Sequence, residues 1–352
     1  MKSVAIVGAG VVGLMCAWRL ARRGARVTVV EGEKENFSAR GPAASLAAAG
    51  MLAPVTEALH AAEGEHPGLA GLNFESFDLW REIVKGTLLE DGVRFDGAAL
   101  IADHPERFEG RKVERLSRSE WRKRTNLDAG PDNALFVHDE GLADPSRVLS
   151  GLAMELRRHG ARLEFGHDVE TVERDKVICF DGARFEADHV LVCVGAWAND
   201  GLMEAAPALK LVAPAKGHIL EVRMRNELRT TIRAKDFYLA PRAHEVVLGA
   251  TTEMGKFDRF IDRARVDELL AAAERALPGE VREAGRAWAG VRPMSPDRAP
   301  LIGLSGEALV AAGHSRNGWL LAPVTADIIA AYIFEEDVPA RWAAFHPARF
   351  LA

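Results

Sequence analysis

A glycine-rich turn near the N-terminus constrains the fold more than any other feature of the sequence. Residues 8–13 carry the pattern G-x-G-x-x-G, directly after a β-branched run at 2–7 and before a helix-like pattern at 10–23. In such a turn the glycines allow a tight bend, close backbone approach to a phosphate, and close packing of helix on strand. A second strand is predicted at 25–31. The order strand, helix, strand therefore predicts a βαβ unit with a right-handed crossover.

The same unit predicts a binding site for a dinucleotide. Free N–H groups and the dipole at the start of a helix favour phosphate groups. Glu31 ends the second predicted strand, 18 residues after Gly13, where an acid accepts hydrogen bonds from ribose hydroxyls. An acid here disfavours NADP, whose 2′-phosphate needs a cation, but the motif leaves FAD and NAD open. The alternative, a glycine turn in an ordinary βα unit, does not require Glu31.

Composition and charge exclude several classes of protein. The 352 residues are 48% hydrophobic, which is enough for a sizeable core, and the length predicts about two domains. With 51 acidic and 45 basic residues, the net charge of −6 argues against a chain built to bind nucleic acid. The three cysteines lack CxxC spacing and none of the 11 histidines forms a metal-like pair, so we expect no metal and a cytoplasmic location.

The apolar stretch at 4–18 resembles a signal peptide only in part. It follows Lys2, but glycines at fixed offsets interrupt it, and arginines follow it in place of a small-residue cleavage site. It is also shorter than the roughly 20 apolar residues that span a bilayer. The Ala- and Gly-rich stretch at 43–55 contains Pro54. We therefore expect no membrane span.

Hydrophobic periodicity predicts that strands dominate the rest of the chain. Strands are predicted at 98–102, 161–165, 169–174, 177–180 and 189–194, within 214–249, and near 301 and 309. Helices are predicted at 69–89, between Asp144 and Gly160, at 263–277 and at 318–334, with two short helices inside 106–124. The basic residues of this last segment alternate with glutamates, which indicates a solvated surface.

Eight later segments resemble the D-amino acid oxidase superfamily of flavoproteins, and most closely its bacterial glycine oxidase branch. The resemblance runs from residue 1 to about residue 332. The segments that carry it are 47–54 (AAAGMLAP), 139–147 (DEGLADPSR), 193–198 (CVGAWA), 216–220 (KGHIL), 238–242 (YLAPR), 249–253 (GATTE), 288–297 (WAGVRPMSPD) and 313–323 (GHSRNGWLLAP).

The resemblance implies FAD as the cofactor and an α/β fold. An FAD-binding, doubly wound domain of Rossmann type would carry an inserted α+β substrate domain built on a large antiparallel sheet. The FAD-binding domain would comprise 1–80, 140–205 and 287–352, and the substrate-binding domain 81–139 and 206–286. Cys16, Cys179 and Cys193 lie in apolar runs and are expected in the core, so we expect noncovalent FAD.

The resemblance also implies catalytic roles for Arg292, Tyr238 and Arg316. Arg292 would bind the substrate carboxylate, because a guanidinium is permanently charged and presents a planar fork to two oxygens. Tyr238 would hydrogen-bond the same carboxylate or close the pocket, and Arg316 would border the flavin ring or touch substrate. Their alternatives are a surface salt bridge for Arg292, strand packing for Tyr238, and capping of carbonyls for Arg316.

Cofactor contacts are implied for residues in six parts of the chain. The turn at 313–320 would wrap the flavin ring, with the start of the last helix facing its pyrimidine end. His314 in this turn is expected to be structural and not catalytic. The full set is Gly8, Gly10, Val11, Val12, Gly13, Glu31, Gly32, Ala44, Ser45, Ala49, Gly50, Met51, Val169, Gly195, His314, Ser315, Arg316, Asn317, Gly318, Trp319 and Leu320.

The implied reaction is oxidation of a small, carboxylate-bearing amine, with hydride transfer from the α carbon to flavin N5. The imine would hydrolyse to an oxo acid, and O2 would reoxidise the flavin to give H2O2. An FAD-dependent dehydrogenase of D-amino acids or secondary amines, passing electrons to another carrier, remains an alternative. An NAD-dependent dehydrogenase and a nucleic-acid-modifying flavoenzyme are further alternatives, and the acidic charge counts against the latter.

The substrate stays open among glycine, N-substituted glycines and D-amino acids. Three departures from the family pattern cause this: Asp236 where relatives have histidine, Thr252 where some carry a larger apolar residue, and a shortened hairpin at 243–245. Trp319 beside the ring turn adds to them. The sequence also leaves open whether the chain is a monomer or a homo-oligomer.

Overall fold

A six-stranded sheet forms around the strand that precedes the glycine-rich turn. The computed structural model describes residues 1–37, 41, 43–59, 63–102, 113–132, 134–242 and 245–350. Its strands are β1 Ser3–Val7, β2 Arg26–Glu31, β3 Met51–Leu52, β4 Val93–Arg94, β5 Ala98–Ile101, β6 Val113–Arg115, β7 Ala134–Val137, β8 Gly141–Ala143, β9 Arg162–Phe165, β10 Val169–Glu173, β11 Lys176–Cys179, β12 Arg184–Glu186, β13 His189–Val192, β14 Ala213–Met224, β15 Thr231–Arg233, β16 Tyr238–Pro241, β17 Val246–Gly249, β18 Glu253–Met254, β19 Val281–Met294, β20 Leu301–Ser305 and β21 Ala308–Ala312. Its α-helices are α1 Val11–Arg22, α2 Ala44–Ala47, α3 Pro54–Leu59, α4 Leu69–Ile83, α5 Arg118–Thr125, α6 Pro145–Arg158, α7 Asp200–Ala205, α8 Arg263–Ala276, α9 Gly318–Phe334 and α10 Ala340–Ala343.

The sheet around β1 has the order β20-β21-β13-β1-β2-β9, and only β20 runs antiparallel to its neighbour. Every residue of β1 is buried, since helices and strands cover both faces of the sheet. Val4 and Ile6 pack with helices α1, α4, α6 and α9, whereas Ala5 and Val7 pack with β10, β11 and α7. This arrangement confirms the predicted doubly wound α/β class.

A second, nine-stranded sheet contains most of the strands after β13. Its order is β18-β14-β17-β16-β15-β5-β7-β6, with β19 pairing along β14. All its pairs are antiparallel except β15 with β5. Helices α5 and α8 contribute Trp121 and Leu269 to the core on one face. The expected large sheet is therefore present, with one parallel pair inside it.

Helix α9 is buried along most of its length and carries a proline in its interior. Pro323 has no N–H, so the carbonyl of Trp319, four residues earlier, has no helical partner. The indole N–H of Trp80 on α4 donates to that carbonyl at 2.9 Å instead. Ser76 on the same helix donates to the carbonyl of Leu320 at 2.6 Å. Helix α4 thereby fixes the first turn of α9 at the edge of the parallel sheet.

Some elements differ from the sequence predictions. The prediction of two short helices inside 106–124 is wrong in part: 113–115 is strand β6, and only α5 is helical in the described residues of that segment. Residues 106–112, including three of its basic residues, lie outside the described residues, as do 243 and 244 of the hairpin. Helix α4 ends at Ile83, before the predicted limit of 89. Among the described residues, no helix is long and apolar enough to cross a bilayer.

Candidate active site

A cavity of about 660 Å³ opens beyond the carboxyl ends of the parallel strands. The β1–α1 turn, the end of β2, helix α2, the end of β13 and the β21–α9 turn all contribute to its wall. Ligands of doubly wound folds bind at this edge, and the volume is typical of a cofactor site. The sequence predicted a dinucleotide site here from the glycine-rich turn together with its flanking strand and helix and Glu31.

The glycine-rich turn leaves room that side chains would fill. Gly8 has φ of 105°. A Cβ on Gly13 would lie 2.0 Å from the carbonyl oxygen of Gly8, and one on Gly10 would lie 3.2 Å from Oγ of Ser45. That hydroxyl accepts the N–H of Val11 at 3.0 Å, so α2 is tied to the start of α1. The cradle fits a pyrophosphate, which needs close backbone approach at a helix N-terminus.

Glu31 is held in a fixed orientation at the opposite end of the turn. Its Oε2 accepts the N–H of Ala9 at 2.7 Å, and its Oε1 accepts the N–H of Glu33 at 3.1 Å. Each oxygen keeps a second acceptor site for a ribose hydroxyl. Val169 lines the same part of the cavity, and its carbonyl accepts from the side-chain amide of Asn199 at 2.7 Å. The residues present therefore fit the nucleotide half of a dinucleotide.

The turn between β21 and α9 is rigid and encloses the other end of the cavity. Ser315 has φ of 53°, and its N–H donates to the carbonyl of Pro293 at 2.8 Å. His314 is buried, with Nε2 3.0 Å from the hydroxyl of Thr325. Burial lowers the pKa of His314 to about 3, so its ring is neutral near pH 7. This geometry supports the expectation that His314 is structural.

A second cavity of about 220 Å³ adjoins the first. The residues that line both cavities mark the junction between them: Ala44, Ala48, Arg292, Arg316 and Trp319. The indole N–H of Trp319 donates to the carbonyl of Ser45 at 3.1 Å, which fixes the ring at this junction. A planar group that ends in the larger cavity would therefore face the smaller one.

Arg292 lies at the end of β19 with its guanidinium against β14. A Cβ on Gly217 would lie 2.3 Å from Nη1 of Arg292, so only glycine leaves room for the guanidinium there. Nη1 donates to the carbonyl of Thr251 at 3.0 Å. Burial lowers the pKa of Arg292, while nearby Tyr238 and Glu57 oppose that shift. A half-buried guanidinium held in this way is suited to a carboxylate ligand.

Tyr238 lies beside Arg292 in the smaller cavity. It pairs with Gly249 across β16 and β17, and a Cβ on that glycine would lie 2.4 Å from the tyrosine hydroxyl. Burial raises the pKa of Tyr238, although the surrounding arginines, led by Arg292, oppose the shift. The phenol therefore keeps its proton near pH 7 and can donate a hydrogen bond into the cavity.

Two charged residues of the smaller cavity were not predicted from the sequence. Glu57 lies 2.8 Å from Nη2 of Arg233 and 3.5 Å from Nη2 of Arg316. Burial disfavours the charged form of Arg233, but Glu140 and Glu57 together raise its pKa. The signal in the sequence was one charged residue at the end of each of two short, otherwise uncharged segments, 54–57 (PVTE) and 230–233 (TTIR). That signal is weak, because such charges often pair for structural reasons.

Most of the residues predicted to contact cofactor or substrate line one of the two cavities. The larger cavity is lined by Gly8, Gly10, Val11, Val12, Glu31, Gly32, Ser45, Val169, Gly195, His314, Ser315 and Gly318. The smaller is lined by Ala49, Gly50, Met51, Tyr238 and Asn317. Ala44, Arg292, Arg316 and Trp319 line both. Gly13 and Leu320 line neither of these two cavities, since Gly13 packs on Gly8 and Leu320 is buried against α4.

Comparison with known proteins identifies the class to which the chain belongs. The family model described as "FAD dependent oxidoreductase" matches residues 3–332, so the chain belongs to this family, which is abbreviated DAO. It is an FAD-dependent amine or amino-acid oxidoreductase of the glycine oxidase type. This confirms the resemblance inferred from the eight segments.

Individual relatives match along nearly the whole chain. The glycine oxidase of Geobacillus kaustophilus is 30% identical over 99% of this chain and 97% of its own length. The glycine oxidase of Bacillus licheniformis is 29% identical over 96% of this chain and 94% of its own length. The crystal structure of the Geobacillus kaustophilus enzyme superposes with a TM-score of 0.82 at 28% identity, covering 99% of both chains.

Proposed function

We propose that this chain oxidises a small amine that carries a carboxylate. The observation that carries the proposal is the guanidinium of Arg292, which lies half-buried at the junction of the two cavities with room in front of it. A forked cation in that place binds a carboxylate and fixes the α carbon beside the junction. Tyr238 donates a second hydrogen bond to the same carboxylate or closes the pocket over it.

We propose that FAD binds noncovalently, with its pyrophosphate at the glycine-rich turn and Glu31 on the ribose. When bound, FAD supplies the acceptor for the hydride that leaves the substrate α carbon. The three cysteines are free and buried, which supports noncovalent binding. Residues 313–319 and the start of α9 hold the ring end. Arg316 borders this end and is paired on one side by Glu57.

The protein contributes orientation, neutralisation of the carboxylate and exclusion of water. The amine reacts in its uncharged form, which a partly buried site beside two arginines favours. The substrate loses a hydride from its α carbon and a proton from its nitrogen. Water then hydrolyses the imine to an oxo acid and an amine. We propose O2 as the final electron acceptor, with H2O2 as the product.

The smaller cavity has room for substrates larger than glycine. Its volume is about 220 Å³. Glycine has five heavy atoms, so a short substituent on nitrogen or on the α carbon also fits. Thr252 and Asp236 line the same cavity and provide polar contacts. We therefore propose N-substituted glycines and small D-amino acids alongside glycine.

Anaerobic mixing of the purified flavoprotein with a panel of amines tests this function. The panel is glycine, sarcosine, longer N-alkyl glycines and D-alanine, with the matching amines that lack the carboxylate as controls. Bleaching of the flavin by the carboxylate-bearing members alone is expected, followed by H2O2 when air is admitted. Bleaching without H2O2 would support a dehydrogenase, and no bleaching by any member would refute the proposal. Release of the flavin by acid precipitation tests noncovalent binding.

A further inference from the structure

A largely buried polar cluster lies behind the substrate arginine. It is on the face of β14 that points away from the smaller cavity. We call Lys216, His218, Thr251 and Glu253 the β14 cluster. His218 is 0% exposed, and none of the four lines the larger cavity or the smaller one. A fully buried histidine in a strand requires partners for both ring nitrogens. The identity of those partners points to a role.

His218 is bonded on both sides of its ring. The backbone N–H of Asp262 donates to Nε2 at 3.1 Å, so Nε2 carries a lone pair and the proton lies on Nδ1. Nδ1 lies 3.0 Å from the hydroxyl oxygen of Thr251 and 3.4 Å from Oε1 of Glu253. Burial, followed by the charge of Lys216, lowers the pKa of His218, which keeps the ring neutral near pH 7. The nearer acceptor for its proton is therefore Thr251.

Thr251 connects the histidine to the substrate arginine. Its hydroxyl oxygen also accepts the backbone N–H of His218 at 2.9 Å, and its own N–H donates to the carbonyl of His218 at 3.4 Å. Its carbonyl accepts from Nη1 of Arg292 at 3.0 Å. The guanidinium passes over Gly217, which presents no side chain to hold it. Thr251 is thus a fixed anchor for Arg292, and His218 fixes Thr251.

We propose that His218 is a positioning residue for Arg292, acting through the hydroxyl and carbonyl of Thr251. The inference rests on the proposed function, because it assigns Arg292 to the substrate carboxylate. His218 does not touch substrate or cofactor. It sets the direction in which the guanidinium presents its remaining N–H groups, so it affects carboxylate affinity more than the rate of oxidation.

A matched pair of substitutions separates the two ring nitrogens. His218→Asn places an amide N–H near the position of Nδ1 and keeps the bond to Thr251. His218→Gln places an amide oxygen near Nε2, keeps the bond from Asp262 and loses the bond to Thr251. The readout is the dissociation constant of glycolate, a carboxylate without an amine, followed by perturbation of the flavin absorbance. The KM and kcat of the best amine substrate are measured beside it.

We expect His218→Gln to raise the glycolate Kd and the KM by roughly 3- to 10-fold, because one hydrogen bond is lost. The kcat should change less. His218→Asn is expected to stay within about twofold of the wild type. Thr251→Val should raise both constants at least as much as His218→Gln, because valine also fails to accept the backbone N–H of His218. Thr251→Ser should match the wild type.

Equal behaviour of the Asn and Gln variants would overturn the inference, whether both stay unchanged or both lose FAD and thermal stability. If the Asn and Gln variants behave equally but the wild type binds glycolate, the proposed function stays intact. A wild-type protein that neither binds glycolate nor bleaches with any amine would refute the proposed function itself.

Discussion

Two glycines decide where the substrate-facing side chains can lie. Gly217 leaves room for the guanidinium of Arg292, and Gly249 leaves room for the hydroxyl of Tyr238. Both glycines lie on strands beside the residue they accommodate, so the sheet itself shapes the carboxylate site. At the scale of single residues, the proposed chemistry depends on glycines, which have no side chain, as much as on charged residues.

Arg292→Ala is expected to lower kcat/KM for carboxylate-bearing amines by roughly 10²- to 10⁴-fold, since two charged hydrogen bonds are lost. FAD content should not change, because the larger cavity keeps its glycine turn and Glu31. Stopped-flow reduction and the absorbance of bound flavin measure both quantities. Arg282→Ala, on the exposed part of the same strand, is the matched control. Loss of FAD, or unchanged turnover, would contradict the assignment of Arg292.

The two tyrosines of the chain provide a second matched pair. Tyr238→Phe removes a hydroxyl beside Arg292 and is expected to raise the KM by about 3- to 10-fold. Tyr332 is partly buried and packs against the core around α9, so Tyr332→Phe should leave the KM unchanged. Steady-state kinetics with one substrate compare them. Equal KM values for both variants would remove Tyr238 from the substrate site.

At the scale of elements, the sequence predicted the cofactor half better than the substrate half. The βαβ unit and α9 carry dense, regular patterns, and the structure has them where the patterns place them. The first half of strand β19 shows no strand pattern, because residues 282–286 are exposed and are all charged or small. Three-residue strands such as β6 and β12 are too short to show alternation. Glu57 and Arg233 were missed because their pairing joins segments 176 residues apart.

Close packing of α1 on β1 gives an element-scale prediction. Gly13→Ala places a Cβ 2.0 Å from the carbonyl oxygen of Gly8 and is expected to abolish FAD binding by displacing the turn. Gly71→Ala, on the exposed face of α4 with no atom within 4 Å of the new Cβ, is the control. It should keep FAD and raise the free energy of unfolding by about 0.5–1 kcal/mol. The flavin-to-protein absorbance ratio and urea unfolding measure these effects. Full FAD content in Gly13→Ala would contradict the packing argument.

At the scale of the whole molecule, we propose two domains: 1–80, 140–205 and 287–352 around the parallel sheet, and 81–139 with 206–286 around the nine-stranded sheet. Strand β19 crosses the proposed domain boundary between residues 286 and 287 and carries Arg292 to the junction of the cavities. The chain as a whole has a net charge of −6, yet its proposed pocket is basic. The pocket is basic locally because Arg292 and Arg316 meet there.

Buried histidines predict how the whole fold responds to acid. Burial lowers the pKa of His66, His189, His218, His314 and His346 below the ordinary 6.5. Below pH 6.5 the unfolded chain therefore binds protons that the native chain does not, so stability falls as the pH falls. For His314 the range extends from 6.5 down to about 3. Its contribution is about 1.4 kcal/mol per pH unit within that range.

His314→Gln tests this contribution while keeping a polar group near Thr325. Between about pH 7 and about pH 5, the wild type should lose roughly 2 kcal/mol more free energy of unfolding than the variant. Urea unfolding at the two pH values measures the difference, and the remaining histidines and acids cancel in the comparison. Parallel pH profiles for the two proteins would show that burial of His314 does not set the slope.

The position of β1 at the centre of its sheet has a consequence for synthesis on the ribosome. This strand is made well before one neighbour, β13, which begins at residue 189, and before β21, which completes that side at residue 312. At roughly 5–20 residues per second, the nascent chain carries an apolar, half-paired β1 for on the order of 10–30 s before β13 has been made. Loading of the cofactor must wait until α9 has emerged. The glycine-rich turn is thus made long before the site to which it belongs can form.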